Sequence, residues 1–259
     1  MRLGLTVLAM LLLGCDVAAA GEVPLPQPRP PVPEWAEPRS FTEAVAGLGV
    51  DVTTATAEPT PCDTRLTAIA VTQPMPWSIG PGACGGRDLV EVEAVLGHDN
   101  TRIGLNPAAV LRCEMAEAFA HWVREDAVGR FAAAGLQLRE IETADSYDCR
   151  GRNRVAGAKL SEHGKGNALD VRGFALDDGR VIEPTDVHAD KELRVGLRET
   201  ACARFSTVLG PGSDGYHEQH IHIDLADRAH GYRICEWDVR EPPPDIPLPR
   251  PRPAILAGD

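Results

Sequence analysis

The chain has 259 residues, 43% of them hydrophobic, and a formal net charge of −12. That share of apolar residues supports a buried core, and the length suits one domain with tails or two small domains. The acidic balance, with no block of Lys or Arg, argues against nucleic acid, whose affinity comes from cations set against phosphates. Beyond the N-terminus no apolar run approaches a membrane span.

Met1-Arg2 and the apolar stretch Leu3 to Gly14 have the charged start and short hydrophobic centre of a signal peptide. Two processing routes fit. Ala18-Ala19-Ala20 offers a small-x-small cleavage site, whereas Leu12-Leu13-Gly14-Cys15 resembles a bacterial lipobox that would leave Cys15 lipidated. Either route exports the chain, to the periplasm or to a lipid-anchored place in the envelope. Contact with the membrane is then expected only through that anchor. The reading divides the chain into a signal peptide (1–20), a Pro-rich linker (21–34), a folded domain (35–240) and a Pro-rich tail (241–259). The two Pro-rich segments favour solvated polyproline II and act as spacers.

Of the seven cysteines, Cys15 lies in the signal region and six remain in the domain. An even set in an exported chain implies disulfides. Cys62–Cys84, Cys113–Cys149 and Cys202–Cys235 are the expected pairs. None forms a Cys-x-x-Cys, which leaves a thiolate zinc site without support.

Short strands and turns are expected between Cys62 and Cys84, and Asp88 to Val95 alternates like a half-buried strand. Asn106-Pro107 predicts a helix start, with Asn as cap and Pro in the first turn. The helix would carry Val110, Leu111, Met115, Ala118, Phe119 and Trp122 on its apolar face, with His121 on the surface. A second helical stretch should end near Gly135, and Leu136 to Thr143 alternates again. Ala168 to Phe174 reads as a strand, Asp177-Asp178-Gly179 as a hairpin turn and Arg180 to Ile182 as the return strand. Asp190 is positioned to cap a helix ending near Phe205, and Leu209 to Gly215 is a loop. The expected order is helices first, then a mainly antiparallel sheet with one helix inserted. The class is α+β, flanked by helices and stapled by disulfides.

The chemistry concentrates in two stretches, Ser161-Glu162-His163-Gly164-Lys165-Gly166-Asn167-Ala168-Leu169-Asp170 and His217-Glu218-Gln219-His220-Ile221-His222-Ile223-Asp224. In a strand, His220 and His222 face one side and Ile221 and Ile223 the other. Three of the eight histidines fall within six positions of the second stretch. Imidazole and carboxylate are what a catalytic zinc uses, with three protein ligands and one position open. His163, Asp170 and His222 make such a set. The bland reading is an ion pair between His163 and Asp170, with the later histidines at a sheet edge. A Ser-His-Asp hydrolase would need a Gly-x-Ser-x-Gly elbow, which is missing, and the Asp-Gly pairs are turns rather than calcium loops.

Ser161-x-His163-x-x-Gly166-x-Ala168-x-Asp170 followed by His220-x-His222 resembles the signature shared by lysostaphin-type, D-alanyl-D-alanine and hedgehog-type metallopeptidases. His217, three residues before His220, is similar to the penicillin-insensitive murein endopeptidases. Ser146-Tyr147-x-Cys149-Arg150, Ala201-Cys202-x-x-Phe205-x-Thr207-Val208-Leu209-Gly210-Pro211-Gly212 and His220-x-His222-x-Asp224-Leu225-Ala226 resemble the bacterial extensin-like C-terminal domain family, over most of residues 55–236. The resemblance implies Zn2+ on His163, Asp170 and His222, with His220 and His217 orienting or deprotonating water. It implies that Arg150, or its rival Arg152, holds a substrate carboxylate or an oxyanion. The implied activity is hydrolysis of amide bonds in peptidoglycan peptides. One departure stands out: Gln219 occupies the position where several carboxypeptidase relatives carry Glu, and Glu218 should face away. A zinc-bearing wall-binding or envelope-integrity module without turnover is therefore the alternative.

Overall fold

The computed structural model describes residues 60–242, apart from 76–77, 80–81 and 87. The signal peptide, lipobox, Pro-rich linker and most of the Pro-rich tail lie outside the described residues.

A short helix, α1 (Pro61–Leu66), opens the domain, with Thr60 and Asp63 closing a capping box at its start. It replaces the strand or turn expected near Cys62. The strands β1 (Ala70–Pro74), β4 (Leu89–Leu96), β5 (Arg102–Arg112) and β6 (Leu138–Asp145) follow, with β2 (Ser78–Ile79) and β3 (Gly85–Gly86) pairing as a separate ribbon. The helix α2 (Cys113–His121) continues through a π-helical segment (Trp122–Ala127) into α3 (Val128–Ala133). The second half holds β7 (Ala168–Leu176), β8 (Val181–Ile182), α4 (Lys191–Arg204), β9 (Thr207–Leu209), β10 (Ile221–Asp224) and β11 (Ile234–Glu236). The α+β class holds, and the main sheet runs β1-β4-β5-β6-β7-β10-β9-β11 with β8 on β7. Its pairs are antiparallel except β5 with β6 and β9 with β11. Strands thus precede the long helix, contrary to the helix-first order expected.

The Asn106-Pro107 expectation fails for a physical reason. Both residues lie inside β5, and Val110 and Leu111 belong to that strand rather than to a helix. Pro cannot donate to a ladder, but the register between β4 and β5 breaks here, jumping from Val92↔Ala109 to Ala94↔Gly104. Pro107 sits in that irregularity, so the local cap signal loses to strand pairing. The helix begins at Cys113 instead, and Met115, Phe119 and Trp122 are buried on it as their spacing requires. His121 pairs with Glu125 at 2.6 Å. Gly135 ends the helical region at φ 72°, β7 and β8 form the expected hairpin, and Asp190 caps α4 by accepting from Leu193 N at 2.7 Å.

Apolar side chains from α2, its π segment, α3 and α4 pack on one face of the sheet. Trp122 is the hub, with ring centroids 5.9 Å from Phe205 and 6.3 Å from Phe174. The disulfides correct two of three expected pairs: Cys62 joins Cys113 and Cys84 joins Cys149, while Cys202–Cys235 stands. Pairing neighbours in sequence missed that α1 packs beside α2, where Arg65 also meets Glu117 at 3.1 Å. Three such bonds are characteristic of an extracellular or periplasmic chain. Among the described residues no helix is long and apolar enough to cross a membrane.

Candidate metal centre

Strand register assembles the site. β7 and β10 pair antiparallel with Asp170 directly opposite His222, which places their Cβ atoms about 5 Å apart on one face. Leu169, Val171, Ile221 and Ile223 point the other way into the core, so the alternation expected of the histidine-rich strand holds. His163 arrives from a single 3-10 turn (His163–Lys165). Gly166 ends that turn at φ 65°, and a Cβ there would lie 2.4 Å from Leu89 Cδ2 and 3.1 Å from Arg112 N. Only glycine meets both the backbone conformation and the space, and Gly166 O accepts from Arg112 N at 2.7 Å. That bond pins the turn to the end of β5.

His163, Asp170 and His222 present ligand atoms within 4.8 Å of one another, all three residues being buried. Asp170 Oδ1 lies 2.9 Å from His222 Nδ1 and 3.3 Å from His163 Nε2, and those two nitrogens are 3.1 Å apart. The outward ring atoms decide the tautomers. His163 Nδ1 is 2.6 Å from the Ser146 carbonyl oxygen, an acceptor only, so Nδ1 carries the proton and Nε2 presents a lone pair. His222 Nε2 is 3.1 Å from Asp224 Oδ2, so it donates to the carboxylate and Nδ1 faces inward. His163 Nε2, His222 Nδ1 and a carboxylate oxygen converging at these distances call for a positive charge between them, a proton on His222 Nδ1 or a metal ion in its place. The carboxylate–histidine arrangement at His222 is the one that orients metal ligands. The residues fit a divalent cation, and their nitrogen and oxygen donors suit zinc among others.

The electrostatics agree. Burial works against ionisation of Asp170, but the His163 and His222 imidazoles beside it hold its carboxyl well below the usual carboxylate range. Burial also opposes charge on His222, yet Asp170 and Asp224 outweigh it and its pKa is pushed up to about 9. The cluster favours a cation.

His220 and His217 line the same open cavity of about 430 Å³. His220 Nε2 lies 3.4 Å from Asp170 Oδ2. Burial pushes the His220 pKa down, against the pull of Asp170 and with the help of His217, His222 and His163, leaving a neutral ring. His217 is buried, its Nδ1 2.7 Å from Asp214 Oδ1, and its ring centroid is 5.2 Å from that of His220. Arg150 lines the cavity but is engaged by Asp145 at 2.7 Å and Asp148 at 3.0 Å. Arg152 lines it as well. Glu218 accepts from Gly212 N at 2.8 Å, and Gln219 is exposed; neither lines the cavity.

Sequence reasoning gave no role to Asp224, Asp214 or the Ser146 carbonyl. The first was detectable, because His222-x-Asp224 puts both side chains on one strand face. The other two follow only from how loops fold.

No protein of curated function and no solved structure matches the chain. The model of the family described as "Extensin-like protein C-terminus" matches residues 60–236, which is the span from the cap of α1 to the end of β11 and contains every residue of the cluster. The chain therefore belongs to the extensin-like protein C-terminus family.

Proposed function

We propose that the domain is an exported, zinc-dependent peptidase-type hydrolase acting on amide bonds of peptidoglycan peptides in the bacterial envelope. The observation that carries this reading is the convergence of His163, Asp170 and His222 at an open cavity that also holds His220 and His217. Zinc, when bound, supplies Lewis-acid polarisation and acidifies water at neutral pH. The chain's own residues do the rest. Ser146 and Asp224 hold the two imidazoles in their ligating tautomers. His220, neutral and facing the cluster, would take a proton from the attacking water at a ring nitrogen and deliver it to the leaving amine. His217, oriented by Asp214, packs against His220 and limits its rotation. The cavity's carboxylates are each engaged: Asp170 by His163 and His222, Asp214 by His217, Asp224 by His222, and Glu162 by Lys165 and Asn167. Imidazole is thus the base this geometry favours. Arg150 and Arg152 provide positive charge on the cavity wall for an anionic part of the peptide.

The test joins metal content to digestion of sacculi and defined muropeptides. Wild type should carry close to one zinc and release new peptide products. His163→Ala should lose both, and His220→Ala should keep zinc while the rate falls by about 10²–10⁴. Zinc-loaded wild type that yields no product would overturn hydrolysis.

A second reading has its own observation. Neither Glu218 nor Gln219 lines the cavity, so that pair brings no carboxylate to the cluster. A non-catalytic zinc-bearing wall-binding module would co-sediment with sacculi and cleave nothing.

A further inference from the structure

Behind His222 the polar contacts continue. Asp224 and Thr207 face each other across the antiparallel pair β9–β10, and the Thr207 hydroxyl is hydrogen-bonded to Asp224 Oδ1. The same Thr207 oxygen lies 2.6 Å from Arg228 Nη2, while Arg228 Nη1 reaches Ser206 O at 3.2 Å. Asp224 Oδ1 also accepts from Ala226 N at 2.9 Å. Thr207 is 2% exposed and Asp224 4%, so water does not compete for these bonds.

The two ends of this chain fix its direction. A guanidinium only donates and an ionised carboxylate only accepts. Thr207 must therefore accept from Arg228 and donate to Asp224, which leaves Asp224 Oδ2 to accept from His222 Nε2. Reversing any bond would set two donors or two acceptors against each other in a buried place. The outcome at the far end is that Nδ1 is the His222 nitrogen facing Asp170 Oδ1 and His163 Nε2, the one that would give its lone pair to a metal held there.

We infer that Thr207 and Arg228 are positioning residues of the metal centre, acting through Asp224 to hold His222 in its ligating tautomer and orientation. The inference rests on the metal reading given above. It accounts for how the buried Asp224 carboxylate is held: its charge is met by three donors, the His222 ring among them, and, one bond further on, by a guanidinium. It also gives a purpose to the fixed place of β9. That strand is held between β10 and β11, and Cys202–Cys235 ties the end of α4 to β11 beside it.

The experiment is zinc affinity, measured by competition with a chromophoric chelator, for wild type, Thr207→Val, Thr207→Ser and Arg228→Met. Valine keeps the shape of Thr207 and removes both hydrogen bonds; serine restores them. Thr207→Val is expected to weaken zinc binding about tenfold, the lower end of what loss of an outer partner does. Thr207→Ser should return it to within about twofold of wild type, and Arg228→Met should fall between. The rescue by serine separates positioning from packing, since serine has the hydroxyl but lacks the methyl. Thermal unfolding in excess chelator reports each variant's fold without metal. If Thr207→Val does not fold, Arg228→Met against Thr207→Ser carries the comparison. Wild type that binds zinc while Thr207→Val and Arg228→Met bind it equally well would overturn this inference alone. Wild type that binds no zinc would overturn it together with the metal reading.

Discussion

Asp170 and Phe174 lie four residues apart on β7, a spacing that places both on one face of a regular strand. They serve opposite sides of the sheet: Asp170 lines the candidate metal cavity, and Phe174 packs 5.1 Å from Phe131 in the core. The register against β6 explains it. Thr143 pairs with Val171 and Glu142 with Gly173, so Arg172 is an extra residue on β7. This bulge flips the strand's parity. Before it, Leu169 and Val171 are apolar and inward; after it, Phe174 and Leu176 are. One strand thus contributes stability along its length and chemistry at one end only.

That division predicts separable effects. Phe174→Ala should cost about 3–5 kcal/mol of stability, read by denaturant unfolding, with zinc affinity of the folded fraction unchanged. A matching loss of affinity would break the separation. Asp170→Asn should weaken zinc binding by more than the ~100-fold that marks loss of an outer partner, because it removes the one anionic ligand. Its chelator-treated form should stay folded near neutral pH.

The pH dependence of the metal-free protein sharpens the same contrast. Asp170 titrates below its ordinary value of 3.8, so its contribution to stability is complete above that pH and fades as pH falls below it. His222 has the opposite sign. Raised from 6.5 to about 9, it contributes fully below 6.5 and loses that contribution as pH climbs towards 9. Thermal midpoints in chelator should be flat between the two limits and fall on either side, and His222→Gln should remove the alkaline fall. The smallest effect belongs to the surface. Arg65→Ala, which removes the exposed pair with Glu117, should change stability by no more than about 1 kcal/mol.

Much of this was legible in the chain. Alternation located β4, β6 and β7, Asp190 announced α4, and the apolar spacing of Met115, Phe119 and Trp122 placed their helix face. The grouping of the candidate ligands was readable because it rests on two local regularities: a glycine-rich turn that leaves six residues between His163 and Asp170, and a period of two that turns His222 away from Ile221 and Ile223. The failures share a cause. Asn106-Pro107 is a helix cap by local preference, but long-range pairing with β4 and β6 made it part of β5.

What the sequence alone determined was therefore which residues are chemically suited to a metal and which local conformations they prefer, since both depend on neighbours a few positions away. Tertiary structure decided the partners. It set Cys62 against Cys113 and Cys84 against Cys149, opposed Asp170 to His222 and Thr207 to Asp224, and brought the Ser146 carbonyl to His163. Each of these contacts joins residues far apart in the chain. The two strand pairs hold because burying one face of the sheet fixes its register, and a single added residue in β7 is enough to change which side chain meets the candidate metal site and which the core.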